Sequence, residues 1–196
     1  MPRGRPKQFD DKEVLARAMA VFWKRGYEAT SLDDLVAAMG IPRQSLYRTF
    51  SDKHSLFLEA LRFYDENITN KVIATLTAEG PAIDNLKNVF AQWHMAVSSP
   101  ERLGCLMVNT STEDFAEDSE VMQIVKANQA RGVKAFESTL KRAQQEGAVD
   151  KQVDPKAVSR TICATVNGML AMSRTGMTDA FRKDVFATLP SLIDLD

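Results

Sequence analysis

Hydrophobic residues between positions 30 and 39 recur at intervals of three and four, and the positions between them are aspartate or alanine. This spacing places the apolar side chains on one face of an α-helix, with a stripe formed by Leu32, Leu35, Val36 and Met39. Thr30 and Ser31 each offer an N-cap oxygen with an aspartate three residues later, which approximates a capping box. The pattern predicts a short amphipathic helix with a well-marked start.

A second short helix is predicted directly after the first. Gly40 stands where the chain must reverse, because glycine adopts positive φ readily, and Ile41 can fill the space between two helices. Pro42 suits a first helical turn, so we expect a helix over about residues 42–49 with Leu46 and Phe50 facing inward. An amphipathic helix over residues 9–27 precedes the pair. Together these elements indicate a helix-turn-helix braced by one further helix.

The outward side of the last helix carries side chains suited to DNA, namely Arg43, Gln44, Ser45, Tyr47 and Arg48. Arginine can form two hydrogen bonds with a guanine edge and glutamine with an adenine edge, whereas serine, tyrosine and arginine can all hold phosphates. This surface favours a DNA-binding protein. For Tyr47 the alternative is a place in the core.

The first third of the chain resembles the DNA-binding domain of TetR-type transcriptional regulators. The resemblance rests on several elements in the same order, at residues 20–22, 26–31, 35–41 and 45–50 and at Lys53. It implies a three-helix head, an all-helical ligand-binding and dimerisation body, and repression that a small molecule releases. It also implies base-facing positions at Arg43, Gln44 and Ser45, and phosphate contacts at Thr30, Tyr47 and Lys53.

We therefore expect an all-α protein with a basic arm over residues 1–8, a helix-turn-helix domain over 9–52 and a helical body over 53–196. The arm carries Arg3, Arg5 and Lys7, which can reach a DNA groove or remain a solvated tail. A linking helix is predicted over 53–78, with an apolar side formed by Phe57, Leu61, Tyr64, Ile68 and Val72.

The body continues with further helices. We predict one with an inward stripe from Ile83 to Val97, a buried helix over residues 103–109 that alone could be a strand, and a long helix that ends at Gly147. The last two helices are expected to start at Asp154-Pro155 and at Thr178.

Residues 161–172 contain no charged side chain, and a helix that is apolar all round must be covered on more than one side. One side can face the body and the other a second copy of the chain. As in the family that the head resembles, the last two helices would form a four-helix interface through Ile162, Val166, Leu170, Phe181, Val185 and Leu189. A larger monomeric bundle is the alternative.

Candidates for a small-molecule pocket combine aromatic or flexible apolar side chains with a few polar ones, and they are Trp93, His94, Cys105, Met107, Phe115, Met122, Phe136, Asn167 and Met169. Each is also typical of core filling. Cys105 suggests a sharper hypothesis, because a partly ionised thiol near Arg102 can react with electrophiles or oxidants. An inert buried thiol is the alternative.

Composition adjusts this interpretation in two ways. The net charge is -1, but residues 1–62 hold 11 basic and 8 acidic residues, a balance of +3, while the remainder has 14 and 18, a balance of -4. The basic part thus carries the DNA-binding pattern. Without a membrane-spanning run or a secretion signal, we expect a cytoplasmic protein whose two cysteines are reduced.

Three functions are compatible with these features. A transcriptional regulator that binds double-stranded DNA as a homodimer and responds to a small-molecule effector is favoured. We expect neither metal nor cofactor, since His54 and His94 are far apart and no phosphate-binding glycine loop is present. The alternatives are a thiol-dependent enzyme that uses Cys105, for which no base is evident, and an architectural DNA-binding protein without an effector.

Overall fold

The computed structural model describes residues 10–115 and 117–193. Within these residues the chain is helical and contains no strand, which confirms the all-α class. The chain divides into two compact units, of which the first ends at Tyr64 and the second begins at Asp65. The basic arm predicted over residues 1–8, as well as Phe9, lies outside the described residues.

The described part of the first unit consists of four helices, α1 (Asp11–Arg25), α2 (Leu32–Met39), α3 (Arg43–Phe50) and α4 (Lys53–Tyr64). Local capping explains where they begin. The Asp10 carboxylate accepts the Lys12 N–H at 2.9 Å, and the Asp52 carboxylate accepts the Ser55 N–H at 2.7 Å, so each satisfies a backbone donor in the first turn of α1 or α4.

The turn between α2 and α3 has the geometry that the sequence predicts. Gly40 ends α2 in the left-handed region at φ 68°, and Ile41 is buried between the helices. Pro42 is the N-cap of α3, so this helix begins at Arg43 and ends at Phe50. The prediction of a helix-turn-helix is therefore confirmed, with the second helix shifted by one residue.

The core of the first unit is aromatic. The ring of Phe22 on α1 packs edge-on against Phe57 of α4 at 4.9 Å, and Phe57 also contacts the ring of Tyr27 at 4.9 Å. Because α4 packs on α1 more extensively than any other helix of this unit, it belongs to the same compact body. The sequence-based boundary after residue 52 therefore separates α4 from the helix on which it packs.

The single α-helix predicted over residues 53–78 is interrupted in the structure. Asp65–Thr69 form a π-helical turn, and an α-helix, α5, resumes over Asn70–Thr77. A π turn is rarely stable by itself and needs support from its surroundings. This support comes from a distant helix of the second unit, as described below, so the periodicity of residues 53–78 contains no sign of the interruption.

The second unit continues with α6 (Ala82–Ser98), α7 (Leu106–Ser111), α8 (Ser119–Gln145), α9 (Pro155–Ser173) and α10 (Asp179–Thr188), followed by a 3₁₀ turn over Pro190–Ile193. Asp154 caps α9 and Thr178 caps α10 through their side chains, which confirms both predicted starts. The segment at residues 103–109 is helical only from Leu106, because Gly104 takes a left-handed φ of 67°.

The core of the second unit lies between α6, α8 and α9. Its largest fully buried ring is that of Phe136 on α8, which packs against Phe90 and Trp93 of α6 at centroid distances of 5.8 and 5.5 Å. Ile162 and Val166 of α9 are buried in the same cluster. A continuous apolar core therefore holds the three longest helices of this unit together.

Candidate nucleic-acid interface

The helix α3 presents a polar face to solvent and an apolar face to the core of the first unit. Leu46 has an exposed fraction of 0%, whereas Tyr47, the next residue, is 43% exposed. Arg43, Gln44 and Arg48 are exposed and Ser45 is half-buried. The structure thus places Tyr47 on the outer face and excludes the alternative of a core aromatic.

Arg43 is held between two neighbours at the start of α3. Its Nη1 atom donates a hydrogen bond to Asp33 Oδ1 of α2 at 2.9 Å, and its guanidinium carbon lies 5.9 Å from the centre of the Tyr47 ring. Hydrogen bonding to Tyr47, then the charges of Tyr47 and Asp33, raise the pKa of the Arg43 guanidinium. The cation therefore stays protonated and directed by α2 as well as by α3.

Lys53 is the first residue of α4 and is half-buried. Its Nζ atom lies 4.1 Å from the centre of the Tyr27 ring, which is a cation–π contact. The ring supports the ammonium group without neutralising it, so Lys53 keeps its charge for a second partner.

The structure corrects the interpretation of Thr30. This side chain is 1% exposed, and its hydroxyl donates a hydrogen bond to the Gly26 carbonyl at 2.6 Å. A buried hydroxyl that is already used to close the turn after α1 is not available to a phosphate. Thr30 therefore stabilises the connection between α1 and α2.

The start of α2 shows which of the two possible caps forms. Ser31 is the N-cap, and the Asp34 carboxylate accepts its backbone N–H at 3.0 Å and its hydroxyl at 2.7 Å. These hydrogen bonds, together with Arg25 at 2.5 Å, lower the pKa of Asp34 from 3.8 to about 2. Asp33, the other candidate, takes no part in the cap and faces Arg43 instead.

Comparison with known proteins agrees with this architecture. Residues 14–60 match the sequence profile described as bacterial regulatory proteins, tetR family, and residues 82–187 match the tetracyclin repressor-like C-terminal domain. The two matches cover most of the chain in the expected order. The chain belongs to the TetR family.

Individual members of the TetR family are similar over most of their length. The HTH-type transcriptional regulator YezE of Bacillus subtilis is 36% identical, covering 80% of this chain and 82% of YezE. The HTH-type transcriptional repressor ComR of Escherichia coli is 31% identical, covering 89% and 84%. A cysteine mutant of the TetR family regulator CifR, solved with 26-bp double-strand operator DNA, is 26% identical with a TM-score of 0.82 and covers 97% and 99%.

With its helix-turn-helix head, this TetR-family chain is a DNA-binding transcriptional regulator. Two further observations concern other chemistry. Among residues 10–115 and 117–193 there is no group of three or more His, Cys, Asp or Glu side chains placed to hold a metal ion. In the same residues, no helix has both the length and the apolar character needed to cross a membrane.

The nine side chains predicted to line an effector pocket are only partly brought together. Phe136 and Met169 belong to the core cluster of the second unit, and Trp93 and Cys105 pack against it. Met107 and Phe115 are buried elsewhere, while Met122 and Asn167 are half-buried. The exposed His94 contacts the Phe186 ring at 5.1 Å instead of the cluster.

One polar residue that fits a pocket was missed by sequence reasoning. Thr110 on α7 is 0% exposed, and its hydroxyl has no hydrogen-bond partner. An unpaired buried hydroxyl is unfavourable, so it is most easily explained where a bound molecule supplies the partner. Thr110 follows the apolar run at 103–109, and only the tertiary structure distinguishes it from an ordinary helix-terminal threonine.

The predicted dimer interface needs correction. Ile162, Val166, Leu170 and Leu189 have exposed fractions between 0% and 8% and form the core of a single chain. Phe181 is 42% exposed and Val185 is half-buried. The uncharged side of α9 that faces solvent is instead the neighbouring stripe of Thr161, Ala164, Gly168 and Met172.

A surface groove of about 450 Å³ lies between α8 and α9. None of the nine candidates for an effector pocket lines it. Its walls are mainly charged and polar, and they are formed by Lys126, Gln129, Ala130, Val133, Lys134, Glu137 and Arg160.

Proposed function

We propose that this chain is a repressor that binds a pseudo-palindromic operator as a homodimer and leaves it when a small molecule binds the second unit. The observation that carries the proposal is the division of α3, with Leu46 fully buried and Arg43, Gln44, Tyr47 and Arg48 on the solvent side. Two such helices would enter successive major grooves about 34–36 Å apart. Similarity to ComR, which is named as a repressor, supports the direction of regulation.

The side chains of the head divide into two roles. Arg43 and Gln44 lie at the start of α3 and are exposed, so they are placed to contact base edges. Tyr47, Arg48 and Lys53 offer phosphate contacts, because each has a donor group at the periphery of the same surface. Ser45 is half-buried and can contribute at most a short-range contact.

Selection of duplexes from random DNA, followed by binding titrations, tests this assignment. We expect Arg43→Ala to lower operator affinity about 5- to 150-fold and to relax discrimination at one base pair. Lys53→Met should weaken all duplexes about equally and reduce the slope of log affinity against log salt by about one per contact. Arg62→Ala, which removes an exposed arginine paired with Glu59, is the control.

The selection also separates this proposal from the alternatives. An architectural protein would bind all duplexes with similar affinity and strong salt dependence. Failure to enrich any sequence at moderate salt would therefore overturn the proposal. An equal loss for all duplexes in Arg43→Ala would instead reassign that residue to phosphate.

The dimer is proposed to form through the exposed side of α9 together with Phe181 of α10. Thr161, Ala164, Gly168 and Met172 follow one another at helical spacing, and small residues allow helices to approach closely. Ala164→Arg should convert the dimer to a monomer in sedimentation velocity, whereas Ser138→Arg, at an exposed position of α8, should not. A dimer that persists in Ala164→Arg would place the interface elsewhere.

The effector is proposed to bind at the aromatic cluster of the second unit with Thr110 as a polar contact. The Trp93 and Phe136 rings are stacked at 5.5 Å with an interplanar angle of 11°, a flat apolar wall that suits a planar or hydrophobic molecule. A compound library screened for operator release would identify the effector. We expect Thr110→Val to weaken the response to that compound while operator affinity in its absence stays unchanged.

Modification of Cys105 is an alternative release signal. The thiol is half-buried at the N-cap of α7 and packs against the core cluster, so an adduct there would disturb the same region that the effector is proposed to occupy. Labelling with an electrophilic probe and mass spectrometry test this alternative. Stoichiometric labelling with loss of DNA binding would support it, and an unmodified Cys105 would end it.

A further inference from the structure

Asp33 and Arg43 form an ion pair across the helix-turn-helix. Asp33 is the second residue of α2 and Arg43 is the first residue of α3, and their atoms Oδ1 and Nη1 are 2.9 Å apart. The Asp33 side chain is 84% exposed, and that of Arg43 is 52% exposed. The pair therefore lies in solvent on the side of the head that carries the exposed residues of α3.

The pair is not required to build the head. The N-terminus of α2 is capped by Ser31 and Asp34, and Asp34 is further paired with Arg25. The turn is formed by Gly40 and Ile41, which are independent of Asp33. Because exposed ion pairs contribute little to folding stability, the contact between Asp33 and Arg43 must be judged by its effect on the position of Arg43.

That effect is a restriction of a long flexible side chain. An unpaired arginine samples many rotamers, and each must be given up when it contacts a base. Asp33 on one side and the Tyr47 ring at 5.9 Å on the other leave the guanidinium few orientations. An arginine held through one N–H group still has further N–H groups for the two hydrogen bonds that a guanine edge accepts.

Asp33 also has an electrostatic disadvantage at a DNA-binding surface. Its carboxylate is exposed and repels phosphates, so by charge alone it lowers affinity for every duplex. A residue that weakens general binding and directs one base-reading side chain acts on specificity. We propose that Asp33 is a positioning residue that sets the base discrimination of Arg43, an inference that rests on the role proposed for Arg43 above.

The test is a double-mutant cycle on DNA discrimination. Wild type, Asp33→Asn, Arg43→Ala and the double variant are titrated with the selected operator and with duplexes carrying each single base-pair change. Glu28→Gln is the control, since it removes the same charge from an exposed residue of the connection between α1 and α2. Circular dichroism and thermal unfolding verify that each variant is folded.

We expect Asp33→Asn to bind the operator at least as tightly as wild type, while the preference at the base pair read by Arg43 falls at least about threefold. Glu28→Gln should leave that preference unchanged. In the Arg43→Ala background, Asp33→Asn should have no further effect on the preference, because Asp33 acts through Arg43.

Two results would overturn the inference. The first is that Asp33→Asn changes affinity for all duplexes by one factor and leaves every preference intact, which would reduce Asp33 to a repulsive charge. The second is that its effect on preference persists without Arg43. If Arg43→Ala itself alters no preference, the base-reading role of Arg43 fails first and the role of Asp33 falls with it, so the cycle distinguishes the two failures.

Discussion

The amide of Asn128 on α8 donates a hydrogen bond to the Asp65 carboxylate at 2.6 Å, at the first residue of the π turn. The same amide nitrogen contacts the Thr69 hydroxyl at 2.8 Å at the other end of this turn. Arg131, one helical turn later, pairs with Asp65 and donates to the Asn70 side chain. The π turn is therefore held by two side chains that lie about sixty residues away in sequence.

Asn128→Ala removes both hydrogen bonds from a site where Asn128 is only 9% exposed. We expect the free energy of unfolding of the second unit to fall by about 1–3 kcal/mol, because Asp65 and Thr69 lose a buried partner. Urea unfolding followed by circular dichroism measures this loss. Gln129→Ala, at the exposed neighbouring position, should change it by less than about 0.5 kcal/mol, and equal effects of the two variants would contradict the role of Asn128.

The Asp34 cap makes the stability of the head depend on pH. Hydrogen bonds from Ser31 lower the pKa of Asp34 from 3.8 to about 2, so the folded state favours the ionised carboxylate. This contribution is fully present above the unfolded pKa and is lost as the pH falls from 3.8 toward about 2. Asp34→Asn should therefore be less stable than wild type at pH 7, and the difference should shrink over that acidic range. Chemical unfolding at a series of pH values measures it, and a constant difference would argue against the cap.

Thr110→Val replaces a buried hydroxyl that has no partner with a methyl group of similar shape. The substitution removes the cost of burying a polar group, so we expect unchanged stability or a gain of up to about 1 kcal/mol. Differential scanning calorimetry of the ligand-free protein provides the measurement. A clear loss of stability would mean that the hydroxyl has a partner in the folded chain, and Thr110 would no longer be a candidate contact for an effector.

Gly104 and Gly132 form a matched pair of alanine substitutions. A Cβ atom at Gly104 would lie 2.8 Å from the Leu170 carbonyl oxygen, in a backbone with φ of 67°, whereas one at Gly132 of α8 would meet no atom within 4 Å. We expect Gly104→Ala to destabilise the protein by about 1–3 kcal/mol and Gly132→Ala to stabilise it by about 0.5–1 kcal/mol. Thermal unfolding of both variants tests the opposite signs. Similar shifts for both would contradict the close approach of the 103–105 segment to α9.

The two cysteines should differ in reactivity. Burial raises the pKa of the Cys163 thiol to about 11, so at pH 8 only about one molecule in a thousand carries the reactive thiolate. Native protein treated with iodoacetamide at pH 8 should remain unmodified at Cys163, and the denatured protein should be modified at both cysteines. Mass spectrometry of Cys105→Ser isolates the reaction at Cys163. Rapid labelling of that variant would show that the thiol is more accessible than the structure indicates.

Much of the head could be predicted because its signals are local. The Gly40 turn, the inward Leu46 and the outward Tyr47 depend on residues within a few positions of one another. Thr30 was misinterpreted because a threonine before a helix can cap, contact phosphate or close a turn. Only the position of the Gly26 carbonyl, 2.6 Å away in the folded chain, distinguishes these roles.

The body was harder to predict at the level of single faces. A helix without charges, such as residues 161–172, gives no indication of which side faces the core. The predicted dimer residues Ile162 and Val166 therefore proved to be core residues, since the larger side chains of α9 pack inward against α6 and α8. The smaller residues Ala164 and Gly168 remain outside.

The sequence by itself determined the helical class, the helix-turn-helix and the starts of α9 and α10 at Asp154 and Thr178, because periodicity and capping act over one or two turns. The tertiary structure decided the π turn, the pairing of Asp33 with Arg43 and the burial of the Thr110 hydroxyl. These features depend on contacts between separate helices. Their energies arise only after the chain has folded, so no local pattern encodes them.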